Sequence, residues 1–312
     1  MAARSALLAL ALAGTLAGTA AAARPIVGIL SQETEAGADG GSYIAASYVK
    51  WLESAGARVV PVHYESSAAE LAALFGSING FLIPGGAASL RNTSQFYAAA
   101  KTMFGLALAA NEKGDYFPVW GTCLGFETLM RLGSGSDDSI LVSGLDSEDY
   151  PVPLTATPAF AGSRLFKELP ASLSAALTSQ NITMNNHHSG TTPAGYAKSA
   201  ALSAFFTVLS TNVDRQGKAF LSTVQGKQHP VYGSQWHPEK NCFEWTVKEA
   251  IPHSVEAVAA CQWTANFFVG ESRKSNHSFP TVELETAALI YNDAATFTGK
   301  AGSGFEQEYI FK

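Results

Sequence analysis

The sequence predicts an open, mostly parallel α/β sheet with helices on both faces and antiparallel strands at its periphery. Three observations lead there. From residue 25 onward, short apolar runs alternate with amphipathic stretches, the pattern of a sheet covered on both sides. Several of those runs break into glycine-rich or proline-rich turns, as strands do where a parallel sheet ends at its ligand-binding edge. About 290 of the 312 residues follow a short N-terminal leader, enough for one large domain with a full core.

The elements follow in order. Residues 25–30 form a short apolar strand. Residues 42–54 form an amphipathic helix, with Tyr43, Ala46, Tyr48, Val49 and Leu52 on one broad face. A strand over 58–63, a short helix over 68–75, a strand over 80–83 and an alanine-rich helix over 95–111 continue the alternation. Residues 117–121 lead into a sharp turn, then a helix over 124–132. The polar stretch 133–149 reads as loop, as does Asn185-Asn186-His187-His188. Strands over 205–210 and 219–223 flank the hairpin turn Asp214-Arg215-Gln216-Gly217. With the strand that runs into His237, they read as antiparallel or peripheral. Residues 256–269 close the core as a helix. The expected organisation is a single domain over 24–312, with 270–312 a polar tail packed on its surface.

Gly121-Thr122-Cys123-Leu124-Gly125 stands where strand gives way to helix. That is the sequence form of a nucleophile elbow, in which a tight turn lifts one side chain out. The following helix aims its free N–H groups and positive dipole end at the sulfur, which favours thiolate. A buried cysteine between two glycines is the plainer alternative. A second segment, Gln235-Trp236-His237-Pro238-Glu239, supplies a base and a carboxylate at i and i+2, on one side of extended chain. A third, Pro84-Gly85-Gly86, follows the strand over 80–83. Backbone amides of Gly85 and Gly86, with that of Leu124, make an expected oxyanion hole. Cys123, His237 and Glu239 are thus the expected catalytic set for acyl transfer.

These segments, in this order, resemble the class I glutamine amidotransferase superfamily, whose sheet is flavodoxin-like. The run from Gly114 to Glu127, the segment from Tyr43 to Pro61, and the endings Ala288-Leu289-Ile290-Tyr291 and Tyr309-Ile310-Phe311 are similar to gamma-glutamyl hydrolases. Phe126 and Glu127 after Cys123-Leu124-Gly125 favour the hydrolases over the ammonia donors. The resemblance implies a cysteine hydrolase of folate poly-γ-glutamates that works without metal or organic cofactor. It also implies a substrate contact for His187. Other γ-glutamyl amides or glutamine remain alternative substrates, and a catalytically silent binding protein is the alternative of another class. Arg91 is expected to hold a substrate carboxylate and Glu127 an α-amino group. Each has a surface or solvated reading beside it.

Compartment and partners follow from the rest. Arg4, the apolar stretch from Leu7 to Leu16 and Ala21-Ala22-Ala23 read as a signal peptide over 1–23. Asn92, Asn181 and Asn276 stand in glycosylation sequons. The expected destination is the secretory pathway, extracellular or lysosomal and vacuolar, with no membrane span. A net charge of -6 argues against nucleic acid. A homodimer is left open. The adjacent His187 and His188 lack the further ligands a metal site needs. Of the 3 cysteines, three unpaired thiols are favoured over a Cys242–Cys261 pair. His63, His229, His253 and His277 have no constellation around them and read as structural or exposed.

Overall fold

The computed structural model describes residues 24–34 and 41–312, so residues 1–23, expected to be a signal peptide, lie outside the described residues. The first half alternates as expected except that residues 42–45 form a strand ahead of the helix, with 32–33 a short strand beside that strand. It runs β1 (Ile26–Leu30), β2 (Gln32–Glu33), β3 (Ser42–Ala45), α1 (Ala46–Ser54), β4 (Arg58–Val62), α2 (Ala68–Phe75) and β5 (Gly80–Ile83). Then come α3 (Gln95–Glu112), β6 (Val119–Thr122) and α4 (Leu124–Gly133). Local signals set the boundaries. Ser67 and Glu70 form a reciprocal capping box at α2, and Ser94 caps α3.

The second half is more strand-rich than the sequence suggests. It runs β7 (Val142–Val152), β8 (Thr155–Ala156), α5 (Ala171–Ser179), β9 (Thr183–Gly190), α6 (Pro193–Lys198), α7 (Ala200–Phe205), β10 (Phe206–Val213), β11 (Ala219–Gly226) and β12 (Val231–Ser234). After these come α8 (Lys240–Phe243), α9 (Val255–Ser272), α10 (Val282–Ala288), β13 (Ala295–Phe297) and β14 (Gln307–Phe311).

The main sheet has the order β4-β1-β5-β6-β12-β11-β10-β8. Strands β4, β1, β5, β6 and β12 are parallel, and β11, β10 and β8 extend the sheet antiparallel. Side chains alternate between its faces with the strand period of two. Ile26, Leu30, Phe81, Ile83 and Val119 pack towards α2, α3 and α4. Val27, Ile29, Leu82 and Trp120 pack on the opposite side with α1, α5 and α9. Burying a side chain of this size contributes about 1.5–3 kcal/mol, so each face pins the register.

Three sequence expectations are corrected here. The strand into His237 is not peripheral: β12 lies beside β6 in parallel register, with Gly233 opposite Gly121 and Ser234 opposite Thr122. The later part of the supposed loop at 133–149, from Val142, and all of 185–188 belong to an antiparallel β7–β9 ribbon. Its strands are polar and lack the apolar alternation that reveals a strand in sequence. The cysteines also differ: Cys242 and Cys261 form a disulfide between α8 and α9, while Cys123 is free and buried.

Candidate active site

Three neighbouring parallel strands, β5, β6 and β12, end at one edge of the sheet, and each delivers part of the site. Beyond β6, Cys123 sits at φ 51° and ψ -108°, a strained conformation for any residue with a Cβ. Its N–H donates to Ser234 O at 2.9 Å, which ties the elbow to the end of β12. The flanking glycines are steric requirements. A Cβ on Gly121 would lie 2.4 Å from Gly125 O, and one on Gly125 would lie 1.9 Å from Ile83 O. Because the obstructions are backbone, Gly125→Ala should cost about 3 kcal/mol or more. Urea denaturation checks this, and an unshifted midpoint would contradict the packing.

Beyond β12, the His237 N–H donates to Met184 O at 2.8 Å, fixing the residue against β9. Its Nδ1 meets Glu239 Oε1 at 2.6 Å, and both side chains are buried. That bond engages Nδ1 and leaves Nε2 for a second partner. Beyond β5, Gly85 marks where the parts converge. A Cβ there would lie 2.6 Å from Tyr48 Oη, 2.7 Å from His237 Cε1 and 3.1 Å from Cys123 Cβ. Cys123 and His237, remote in sequence, therefore face the same point.

The oxyanion expectation is narrowed. The Gly85 N–H donates to Tyr48 Oη at 2.8 Å and is no longer free for a ligand. Gly86 and Leu124 line the cavity. Gly86 has φ 153°, and a Cβ on it would collide with the Gln32 side chain at 2.1 Å. Gln32 Nε2 in turn donates to Gly85 O at 2.7 Å and braces the turn.

Electrostatics also amend the sequence reading. Burial first, then the charges of Glu127 and Glu239, push the Cys123 thiol well up. The Leu124 amide and Lys240 oppose this without overcoming it. At neutral pH the group is therefore held as a thiol. Glu127 is pushed up to about 7 by burial, against a hydrogen bond from Gln235. Burial also raises Glu244 to about 7 and lowers His187 to about 4.

The two raised glutamates have a stability consequence. Their ordinary value is 4.5, so between there and about 7 the folded chain holds protons that the unfolded chain releases. Their stabilising contribution is full below the unfolded value and is lost as pH rises through about 7. His187, lowered from 6.5 to about 4, opposes them as pH falls below 6.5, but it is one group against two. Glu271, held low by Lys274 and two tyrosines despite burial, also opposes them, below its unfolded value. The thermal midpoint should therefore be higher at pH 5 than at pH 8. A midpoint equal at both, or higher at pH 8, would count against buried neutral carboxyls.

A cavity of about 700 Å³ opens over Cys123 and His237. Its lining includes Gly86, Leu124, Glu127 and His187 among the expected residues. His187 is buried on β9, its Nδ1 2.8 Å from Ser189 O and its Nε2 3.2 Å from Asn185 Oδ1. Arg91 is exposed and is not among the lining residues. Sequence reasoning missed the role of Tyr48, whose Oη lies 3.3 Å from His237 Nδ1. It also passed over Asn186, Lys240 and the tail. Strand β14 pairs with β3, and Ser303, Gly304, Phe305, Glu308 and Ile310 form one wall of the cavity. The segment expected to be a surface tail thus builds part of the site. Among the described residues no group of three or more His, Cys, Asp or Glu is arranged to hold a metal ion.

Comparison with known proteins fits this geometry. The profile of the Peptidase C26 family matches residues 25–239, which take in all three turns and end on Glu239. The chain belongs to the peptidase C26 family. Gamma-glutamyl hydrolase B of Dictyostelium discoideum is 41% identical over 290 residues, covering 92% of this chain and 83% of that protein. The gamma-glutamyl hydrolase of Homo sapiens is 44% identical over 294 residues, covering 93% and 90%. That of Bos taurus is 44% identical over 291 residues, covering 92% and 90%. In peptidase C26 terms, the matched span contains the elbow and the histidine turn. The tail wall formed by residues 303–310 lies beyond it.

Proposed function

We propose that this protein hydrolyses γ-glutamyl amide bonds by covalent cysteine catalysis, with folate poly-γ-glutamates as its substrate class. The observation that carries this reading is the convergence of Cys123 and the His237–Glu239 pair on one cavity. The γ-glutamyl bond rests on relatives of 41% and 44% identity that bear the name gamma-glutamyl hydrolase, and the folate poly-γ-glutamate chain rests on the sequence resemblance.

Each step has a residue. His237 Nε2 takes the proton of Cys123 as Sγ attacks the γ-carbonyl carbon. Glu239 holds the ring through Nδ1 and stabilises the imidazolium that forms. The amides of Leu124 and Gly86 receive the developing oxyanion; one such donor is worth about 3–4 kcal/mol of barrier. His237 then protonates the leaving amine as the C–N bond breaks. Water, deprotonated by the same histidine, attacks the thioester carbonyl and frees the thiol. Glu127 and His187 contact the bound glutamyl chain from the cavity wall.

The wider reading is a single domain over 24–312 made with a cleaved leader and routed to the secretory pathway. Asn92, Asn181 and Asn276 are all exposed, as glycan acceptors must be. No helix of the described residues is long and apolar enough to cross a membrane.

The test is a side-by-side assay of γ-linked and α-linked triglutamate and of free glutamine, with products identified by mass spectrometry. The γ-linked chain should be cleaved roughly 10³-fold or more faster in kcat/KM than the α-linked one, because a site built around placed charges rejects a misplaced one. Comparable cleavage of both would make this a general peptidase. Faster turnover of glutamine would make it a glutaminase.

A further inference from the structure

Poly-γ-glutamate is a polyanion, because every residue of the chain keeps a free α-carboxylate. The protein offers it no long-range attraction, having a net charge of -6. The cavity wall is itself acidic, lined by Glu127, Glu148, Glu249 and Glu308. Among the described residues, Lys240 is the one lysine or arginine in that lining.

Lys240 directly follows Glu239 and opens α8. Its side chain is only 3% exposed, an unusual burial for a lysine unless it is paired. Its Nζ donates to Glu249 Oε2 at 2.5 Å. Glu249 Oε1 accepts from Asn186 Nδ2 at 3.0 Å, and Asn186 O lies 3.8 Å from Cys123 Sγ. One residue therefore links the ion pair to the nucleophile. An ammonium has three donors, and among the described residues Glu249 is its one hydrogen-bond acceptor. The Phe305 ring of the tail wall closes over it, 5.9 Å from Nζ to the ring centroid.

We propose that Lys240 is a specificity-determining residue that receives the free α-carboxylate of the leaving glutamate, which competes for the ammonium with its resting partner Glu249. This rests on the γ-glutamyl reading. In such a substrate, the α-carboxylate of the leaving residue hangs on the carbon that bears the scissile nitrogen. Its partner must therefore lie close to the sulfur, next to the catalytic histidine and beside the path of the leaving amine. Lys240 is the cation of the cavity in that position. An α-carboxamide on the leaving residue keeps the scissile bond but removes the charge that Lys240 would recognise.

The test compares γ-glutamyl-glutamate with the same dipeptide carrying an α-carboxamide on its leaving residue. Wild type should prefer the acid about 30-fold or more in kcat/KM. Lys240→Gln should shrink that preference to within about threefold, through a higher KM for the acid. A lysine that merely supports His237 and Glu239 would, on substitution, slow both substrates alike and leave the preference intact, which would overturn the proposal. Glu249→Gln provides the second arm and decides the matter if Lys240→Gln does not fold. It removes the competitor for the ammonium, so KM for the acid should fall several-fold while that for the carboxamide stays put. An unchanged ratio overturns the proposal. Wild-type enzyme that cleaves neither dipeptide, nor γ-linked triglutamate, defeats the γ-glutamyl reading instead. Wild type that cleaves acid and carboxamide equally defeats only the role of Lys240.

Discussion

Cys123→Ala should lower kcat for γ-linked chains by at least about 10⁴-fold, because removing a nucleophile leaves only binding and oxyanion stabilisation. The fold should hardly notice. The sulfur projects into the cavity, and its polar neighbour is Asn186 O at 3.8 Å, so its loss creates no closed void. The backbone strain at φ 51° stays, because alanine keeps the Cβ. Cys123→Gly removes that Cβ and should be as inactive, yet more stable than the alanine variant by about 1 kcal/mol. Steady-state kinetics with mass-spectrometric detection, paired with urea melts, reads both quantities. Residual turnover above about 1% in Cys123→Ala would remove cysteine from the nucleophile role.

The segments that build the candidate site were legible in sequence because each combines a strand end with residues whose replacement the packing resists. Gly121 and Gly125 announce the elbow because any side chain there would strike backbone. His237 and Glu239 announce themselves as a base and a carboxylate two residues apart; the chain there turns, with Glu239 in the helical region rather than extended, and the turn puts Oε1 2.6 Å from the ring. The parallel half of the sheet was legible too, since its strands are continuous apolar runs buried on both faces. What stayed hidden was long-range. Tyr48 looks like a core residue of an amphipathic helix, and only the packing of α1 over the sheet edge brings its hydroxyl to Gly85 and His237. The β7–β9 ribbon is polar, and β14 reaches the site by pairing with β3 across more than 260 residues of chain. No local pattern encodes those contacts. The thiolate expectation failed for a related reason: a helix N-terminus is visible in sequence, but the burial of the sulfur beside two carboxylates is not.

His237→Asn should cost nearly as much as losing the thiol, and the double variant with Cys123→Ala should cost no more than either alone. The argument starts from the resting state. Burial and the charges of Glu127 and Glu239 keep Cys123 protonated, so attack requires a base at hand. Without the imidazole, the thiol keeps its proton and the leaving amine receives none, so both halves of the acyl transfer stall. Nucleophile and base act as one unit, and removing the second after the first removes nothing further. Glu239→Gln should be milder, on the order of 10²-fold, since both reacting groups remain. The cost comes from the Nδ1 bond at 2.6 Å, where a neutral amide supports the imidazolium less well than a carboxylate. Pre-steady-state release of the leaving glutamate measures acylation in each variant. A His237→Asn enzyme with near-normal acylation would mean that another group takes the proton. A Glu239→Gln enzyme as inactive as His237→Asn would mean that the carboxylate does more than hold the ring.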